Sequence, residues 1–156
     1  LETLTGLARH DEIWAMTQAM ALNDAVKTST QALCEAQEAE YAQAQGILGA
    51  GALKEVADRH KRQLTAAMRS GIMAALGAQR AFLRDALMLG ANPASVPSTG
   101  DFADAAATFA QLGQDTLLSG IETIGRAIRR IEKNVQPRLA VEAMLLELKE
   151  MLPCRP

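Results

Sequence analysis

Asn134-Val135-Gln136-Pro137-Arg138-Leu139-Ala140-Val141-Glu142-Ala143-Met144-Leu145-Leu146-Glu147-Leu148 holds the end of one helix and the start of another. Asparagine tolerates the left-handed conformation that closes a helix, so Asn134 is read as the stop of the preceding one. Pro137 suits the first turn of the next, where a backbone N–H would go unused. Leu139, Met144, Leu145, Leu148 and Leu152 then follow as the inward side of a last helix over 137–151, before Pro153 and Pro156 end the chain. Upstream, Leu117, Ile121, Ile124, Ile128 and Ile131 recur at three-and-four spacing and predict a helix over 115–133. Two amphipathic helices joined by a short turn make the fold class all-α.

Working back from this pair, Gly113 breaks the pattern. Before it, Asp101 is read as an N-cap and Asp104 as first-turn negative charge of a helix ending near 112, with Phe102, Ala105, Ala106 and Phe109 inside. Residues 90–100 hold Pro93, Pro97, Gly90 and Gly100 and read as a loop. A long helix is expected over 52–89, with Leu53, Val56, Leu64, Met68, Ile72, Leu76, Leu83 and Leu87 at helical spacing. Gly71 and Gly77 weaken it and permit a bend or a close helix contact. Gly46, Gly49 and Gly51 mark a turn. Residues 11–45, without proline or glycine, are expected to form one helix that buries Ile13, Trp14, Met16, Met20, Val26, Leu33 and Tyr41, with a lead-in turn at 3–7. The stretch 31–45 is rich in Ala, Gln and Glu and only weakly amphipathic. The expectation is a single domain over 1–156, a bundle of about five helices with no solenoid repeat.

Composition agrees with a helical bundle. Hydrophobic residues are 49% of the chain but aromatics only 3%, so the interior must come from Leu, Ile, Met and close alanine contacts. At 156 residues the chain is long enough to bury about 70% of the surface its unfolded form exposes. The formal net charge of −2 argues against a protein that grips nucleic acid over its whole surface. Charge is unevenly spread: residues 1–60 carry four Lys/Arg against nine Asp/Glu, while 61–156 carry twelve against nine. The two halves are expected to meet different partners. No apolar run is long enough to span a bilayer. Cys34 and Cys154 form neither a CxxC nor a Cys/His spacing, so no disulfide framework or zinc site is expected, and a reducing cytoplasm is the expected location. The chain begins at Leu1 within helical sequence and is expected to be part of something longer.

Residue types that carry chemistry are sparse. A phosphate-cradling Gly-rich turn ending in Lys-Ser/Thr does not occur. His10 and His60 do not follow a Glu at the spacing of a carboxylate-bridged metal site, so no metal or cofactor is expected. Neither cysteine has a histidine nearby in sequence, and no catalytic residue is assigned. Trp14 and the methionines read as packing or interface residues. Two basic groups stand out: Arg59, His60, Lys61, Arg62 and Arg69 on one helix, and Arg126, Arg129, Arg130 and Lys133 opposite the isoleucines of another. Most such stripes are solvated faces with local partners, here Arg129 with Glu132 and, on the last helix, Arg138 with Glu142. Without interleaved aromatics, direct DNA contact is not expected.

The order N-V-x-P-R-L-A-x-E-x-x-L-L-x-L at 134–148 resembles the closing helix of bacterial DNA polymerase III clamp-loader subunits, most closely delta-prime. Phe82-Leu83-Arg84-Asp85-Ala86-Leu87 is similar to the aromatic-x-R-D-x-L segment of the same family, and a loop and an Asp-initiated helix follow it there too. Ala86 stands where the family often has Leu or Val, and Gln136 where Asn or Pro is usual. The likeness covers residues 74–148. The region before it resembles the expanded form found in actinobacterial delta-prime proteins.

This resemblance implies a collar-like helical domain: the C-terminal part of an AAA+ subunit that assembles with gamma/tau and delta subunits into a pentameric ring loading the sliding clamp during DNA replication. The implied role is assembly without catalysis, inside a complex classed with DNA-directed DNA polymerase. Arg84, Asp85, Asn134, Pro137, Arg138, Leu139 and Glu142 are the family-signature positions, with Arg84 and Asp85 expected in salt bridges within the domain or at a subunit boundary. Taken out of a ring, the segment is expected to be a monomer. Two alternatives stand beside this reading: the equivalent domain of gamma/tau, and an unrelated helical adaptor that binds partner helices in an apolar groove.

Overall fold

Three successive hydroxyl side chains decide where the first helix stops. In the computed structural model, which describes residues 12–151 and the side chains from Ala15 onward, the helix expected over 11–45 is interrupted at Thr30. Thr28 Oγ1 donates to the Asp24 carbonyl at 3.0 Å, Ser29 Oγ to Val26 at 2.7 Å and Thr30 Oγ1 to Lys27 at 2.9 Å. The Thr30 N–H is shared between the carbonyls of Val26 and Lys27, at 3.1 Å each. Hydroxyls that compete for helix carbonyls loosen the ladder. The chain therefore forms α1 (Glu12–Ser29) and α2 (Gln31–Gln45) in place of one helix.

The remaining elements are α3 (Ala50–Ala91), a 3₁₀ turn (Gly100–Phe102), α4 (Ala103–Ala110), α5 (Gln114–Glu132) and α6 (Pro137–Met151). The fold is all-α, with six helices and no strand among the described residues. The expected lead-in turn at 3–7, His10, Leu152 and Cys154 lie outside the described residues, as do the side chains of Ile13 and Trp14.

The chain divides into two compact units whose boundaries fall inside α1 and α3. One comprises residues 21–72. Here α2 and the first part of α3 run antiparallel, since Gln37 Nε2 donates to Gln63 Oε1 at 3.0 Å and Glu40 meets both His60, at 2.9 Å, and Arg59. Its seam is thus polar, with Gln37 and His60 buried. Val26 and Ile72 are its buried apolar side chains among the described residues. At Gly71 a Cβ would lie 2.6 Å from Val26 Cγ1, so the missing side chain is what lets α1 and α3 approach there.

The other unit runs up to Met20 and from Met73 onward. Leu76, Phe82, Ile124, Ile131, Met144 and Leu145 are fully buried in it. Each such side chain contributes about 1.5–3 kcal/mol relative to exposure. Phe82 and Phe109 meet edge-to-face, ring centroids 5.2 Å apart, which fixes α4 against α3. Gly120 sits where α3, α5 and α6 converge: a Cβ there would be 3.0 Å from Leu83 Cδ1 and 3.6 Å from Leu148 Cδ2. The last helix therefore docks beside the part of α3 that carries Phe82 and Leu83.

Several inward assignments differ by register. On α1 Val26 is buried as expected, but the other buried residues are Ala15 and Ala19, while Met16 and Met20 are exposed. On α6 the stripe is Ala140, Val141, Met144, Leu145 and Leu148, and Leu139 is exposed. Five residues before Met144 on a 3.6-residue turn, Leu139 lies well off that stripe. Phe102 is exposed too. It occupies the N-cap position of α4, and Asp101, expected there, lies inside the 3₁₀ turn with no capping bond.

Candidate functional site

The signature residues fall at two places in the second unit, the α5–α6 corner and the C-terminal part of α3. At the corner, Asn134 has φ 69°, the left-handed conformation expected of it. Val135 N–H reaches back to the Arg130 carbonyl and Asn134 N–H to Ile131, both at 3.0 Å. This is the two-bond Schellman closure, which satisfies carbonyls at the end of α5 and fixes the chain's exit direction. Pro137 then opens α6 as its first residue. The corner is rigid, and it presents Val135 and Leu139 to solvent at 40% and 54% exposure.

Arg138 and Glu142 do not form the ion pair expected of their spacing. Arg138 is half-buried instead, with its Nε shielded from solvent and lacking an acceptor. The expected Arg129–Glu132 pair is likewise not made. Arg129 Nη1 lies 3.3 Å from where a Cβ on Gly125 would be, and Arg80 Cζ lies 3.9 Å from the same point. Two exposed guanidiniums, one from α3 and one from α5, thus lie over the gap left by a glycine.

Neutralisation of the α5 stripe comes from across the hairpin. Glu147 on α6 accepts from Arg126 at 2.8 Å and from Arg130 at 3.0 Å, and Arg126 also donates to Thr123 Oγ1 at 2.9 Å. The hydrogen bond from Arg126 lowers the Glu147 pKa most; desolvation opposes it, and Arg130 adds to the lowering. Spacing rules within one helix miss such a pair, because its members are 17 and 21 residues apart in sequence.

Arg84 and Asp85 have different surroundings. Arg84 is exposed and forms no ion pair with Asp85. Asp85 is buried and ties down the loop before α4. Ser98 Oγ lies 2.9 and 3.0 Å from its two oxygens, and Thr99 gives its N–H at 2.8 Å and its hydroxyl at 2.6 Å. Burial alone raises the Asp85 pKa, but the combined hydrogen bonds of Thr99 and Ser98 outweigh it and hold the carboxyl below its ordinary value. Its neighbours are neutral donors within a structural cap.

Among the described residues no group of three or more His, Cys, Asp or Glu is placed to hold a metal ion, and no helix is long and apolar enough to cross a membrane. Cys34 is a free thiol in the 21–72 unit. The arrangement at the corner fits a binding surface: a rigid turn, two outward apolar side chains, and arginines partly neutralised by one glutamate. Neither protein-family models, nor curated proteins, nor solved structures give a match to this chain.

Proposed function

We propose that this chain is the collar domain of a clamp-loader subunit of the delta-prime kind, an assembly module that takes part in no bond making or breaking. The reading rests on the ordered F-L-R-D and N-V-x-P-R-L segments. The observation that carries it is that Val135 and Leu139, the apolar residues of the second segment, face solvent on a corner held rigid by Asn134. Exposed aliphatic side chains on a stiff support lose little conformational entropy on docking and make good anchors. Gamma/tau and delta subunits are the partners in this reading, and DNA is not contacted by this domain. The equivalent domain of gamma/tau is distinguished by an intact Gly-Lys-Ser/Thr phosphate loop upstream of this segment.

The test uses the full-length parent carrying Val135→Glu and Leu139→Glu, mixed with gamma/tau and delta and passed over a gel-filtration column. Loss of co-elution with unchanged far-UV circular dichroism is expected. Co-elution of a parent lacking residues 1–156 would overturn the reading.

A helix-binding adaptor is the second reading, favoured by an open apolar groove between α2 and α3 in the 21–72 unit. An adaptor would keep its partner after the Val135 and Leu139 substitutions and lose it on blocking that groove.

A further inference from the structure

The open groove between α2 and the facing part of α3 has a volume of about 600 Å³, and Cys34, Tyr41, Ala42, Ala57 and Leu64 are the less polar half of its lining. With the polar Gln37 and Glu38 on α2, and His60 and Lys61 on α3, falling between them, the lining positions recur at three-and-four spacing on both helices. Tyr41, Cys34 and Leu64 are half-buried, and Ala42 and Ala57 are exposed. Two adjacent antiparallel helices with such stripes on one side form half of a four-helix bundle. Two of the polar groups beneath already have partners: Gln37 Nε2 donates to Gln63 Oε1, and His60 Nε2 meets Glu40.

The charges on the rim identify what covers it. Glu38 on α2 and Lys61 on α3 line opposite sides of the groove, both exposed and neither in an ion pair. They stand at the same level, because Gln37 meets Gln63 and Glu40 meets His60. A half-turn about an axis running along the groove lays α2 of a copy across α3, antiparallel. It also sets Glu38 of each chain against Lys61 of the other. We infer that the groove is closed by a second copy of this chain, in a twofold four-helix bundle built from two α2–α3 pairs. A twofold interface is self-complementary, as this rim is.

Sedimentation equilibrium on the 156-residue chain, over a micromolar concentration series, tests this. The mass is expected to move from 16.7 kDa toward twice that value. Glu38→Lys and Lys61→Glu are each expected to raise the dimer Kd about tenfold or more, and the double reversal to bring it back near the original. Ala42→Arg, which fills the groove, is expected to leave a monomer with unchanged helix content. A monomer at every concentration, a dimer indifferent to the single reversals, or a double reversal without rescue would each overturn the inference. Val135→Glu with Leu139→Glu leaves this dimer intact, which separates its failure from that of the collar reading.

Discussion

Asp85 Oδ2 accepts both the backbone N–H and the hydroxyl of Thr99, at 2.8 and 2.6 Å, so a carboxylate on α3 fastens the loop that leads into α4. Ser98 adds its hydroxyl to the same carboxylate. Within the chain, the aspartate of the R-D segment is the acceptor for a loop that contains two prolines and has no ladder of its own.

Replacing Asp85 by Ala leaves Thr99 N–H and two hydroxyls without that acceptor, and a loss of about 2–3 kcal/mol is expected in urea unfolding at neutral pH. Because the folded-state pKa is depressed, this contribution is present above the unfolded-state pKa. It is lost as pH falls through the lower folded value, on the acid side of the ordinary aspartate range. The stability gap between wild type and Asp85→Ala should therefore narrow as pH falls below about 4, the ordinary aspartate value. A gap that is unchanged over this range would show that the carboxylate charge is irrelevant.

Gly71 and Gly77 are alike in sequence but separate in the structure. A Cβ at Gly71 would come within 2.6 Å of Val26 Cγ1, and a β-branched side chain has little rotamer freedom to yield. Gly71→Ala is expected to lose about 1–3 kcal/mol despite its better helix propensity. Gly77 has nothing within 4 Å of such a Cβ, so Gly77→Ala should gain about 0.5–1 kcal/mol. Thermal melts of the two variants should shift in opposite directions, and two gains would mean that the Val26 contact is soft.

The glycine pair shows what the sequence carried and what it did not. Periodicity located α3, α5 and α6, and the chemistry of Asn134 and Pro137 located the turn between the last two, because those signals are local. The break at Thr30 was equally local, written in Thr28-Ser29-Thr30, but a stretch without proline or glycine hides it. Register was harder. Alanine fits either face of a helix, so Ala15 and Ala19 take the buried side expected of Met16 and Met20. The site residues depended on contacts distant in sequence. Glu147 with Arg126 and Asp85 with Thr99 each join separate elements, and i to i+4 rules do not reach across them.

Asn134 at φ 69° makes a prediction that discriminates conformation from contact. Alanine in the left-handed region is strained by about 1–2 kcal/mol, so Asn134→Ala should lower stability by roughly that amount. Asn134→Gly, which relieves the strain while removing the same side chain, should lose less than Asn134→Ala. If both variants lost the same amount, the side chain's contacts would matter more than its backbone angle.

Glu147 holds two arginines one turn apart on α5, and all three side chains are about a third or more exposed. Solvent screening limits such a network, so Glu147→Gln is expected to cost only about 0.5–1 kcal/mol at low salt, shrinking as salt is added. The depressed Glu147 pKa places that contribution above the unfolded-state value and removes it as pH falls through the folded one. The variant should therefore match wild type in strong acid and fall short at neutral pH. Comparing chemical unfolding at two salt concentrations and two pH values separates this from a packing effect. A deficit that persisted in acid and in high salt would assign the role of Glu147 to its methylenes against α5 and remove the ion pairs from the account of how the α5–α6 hairpin is held.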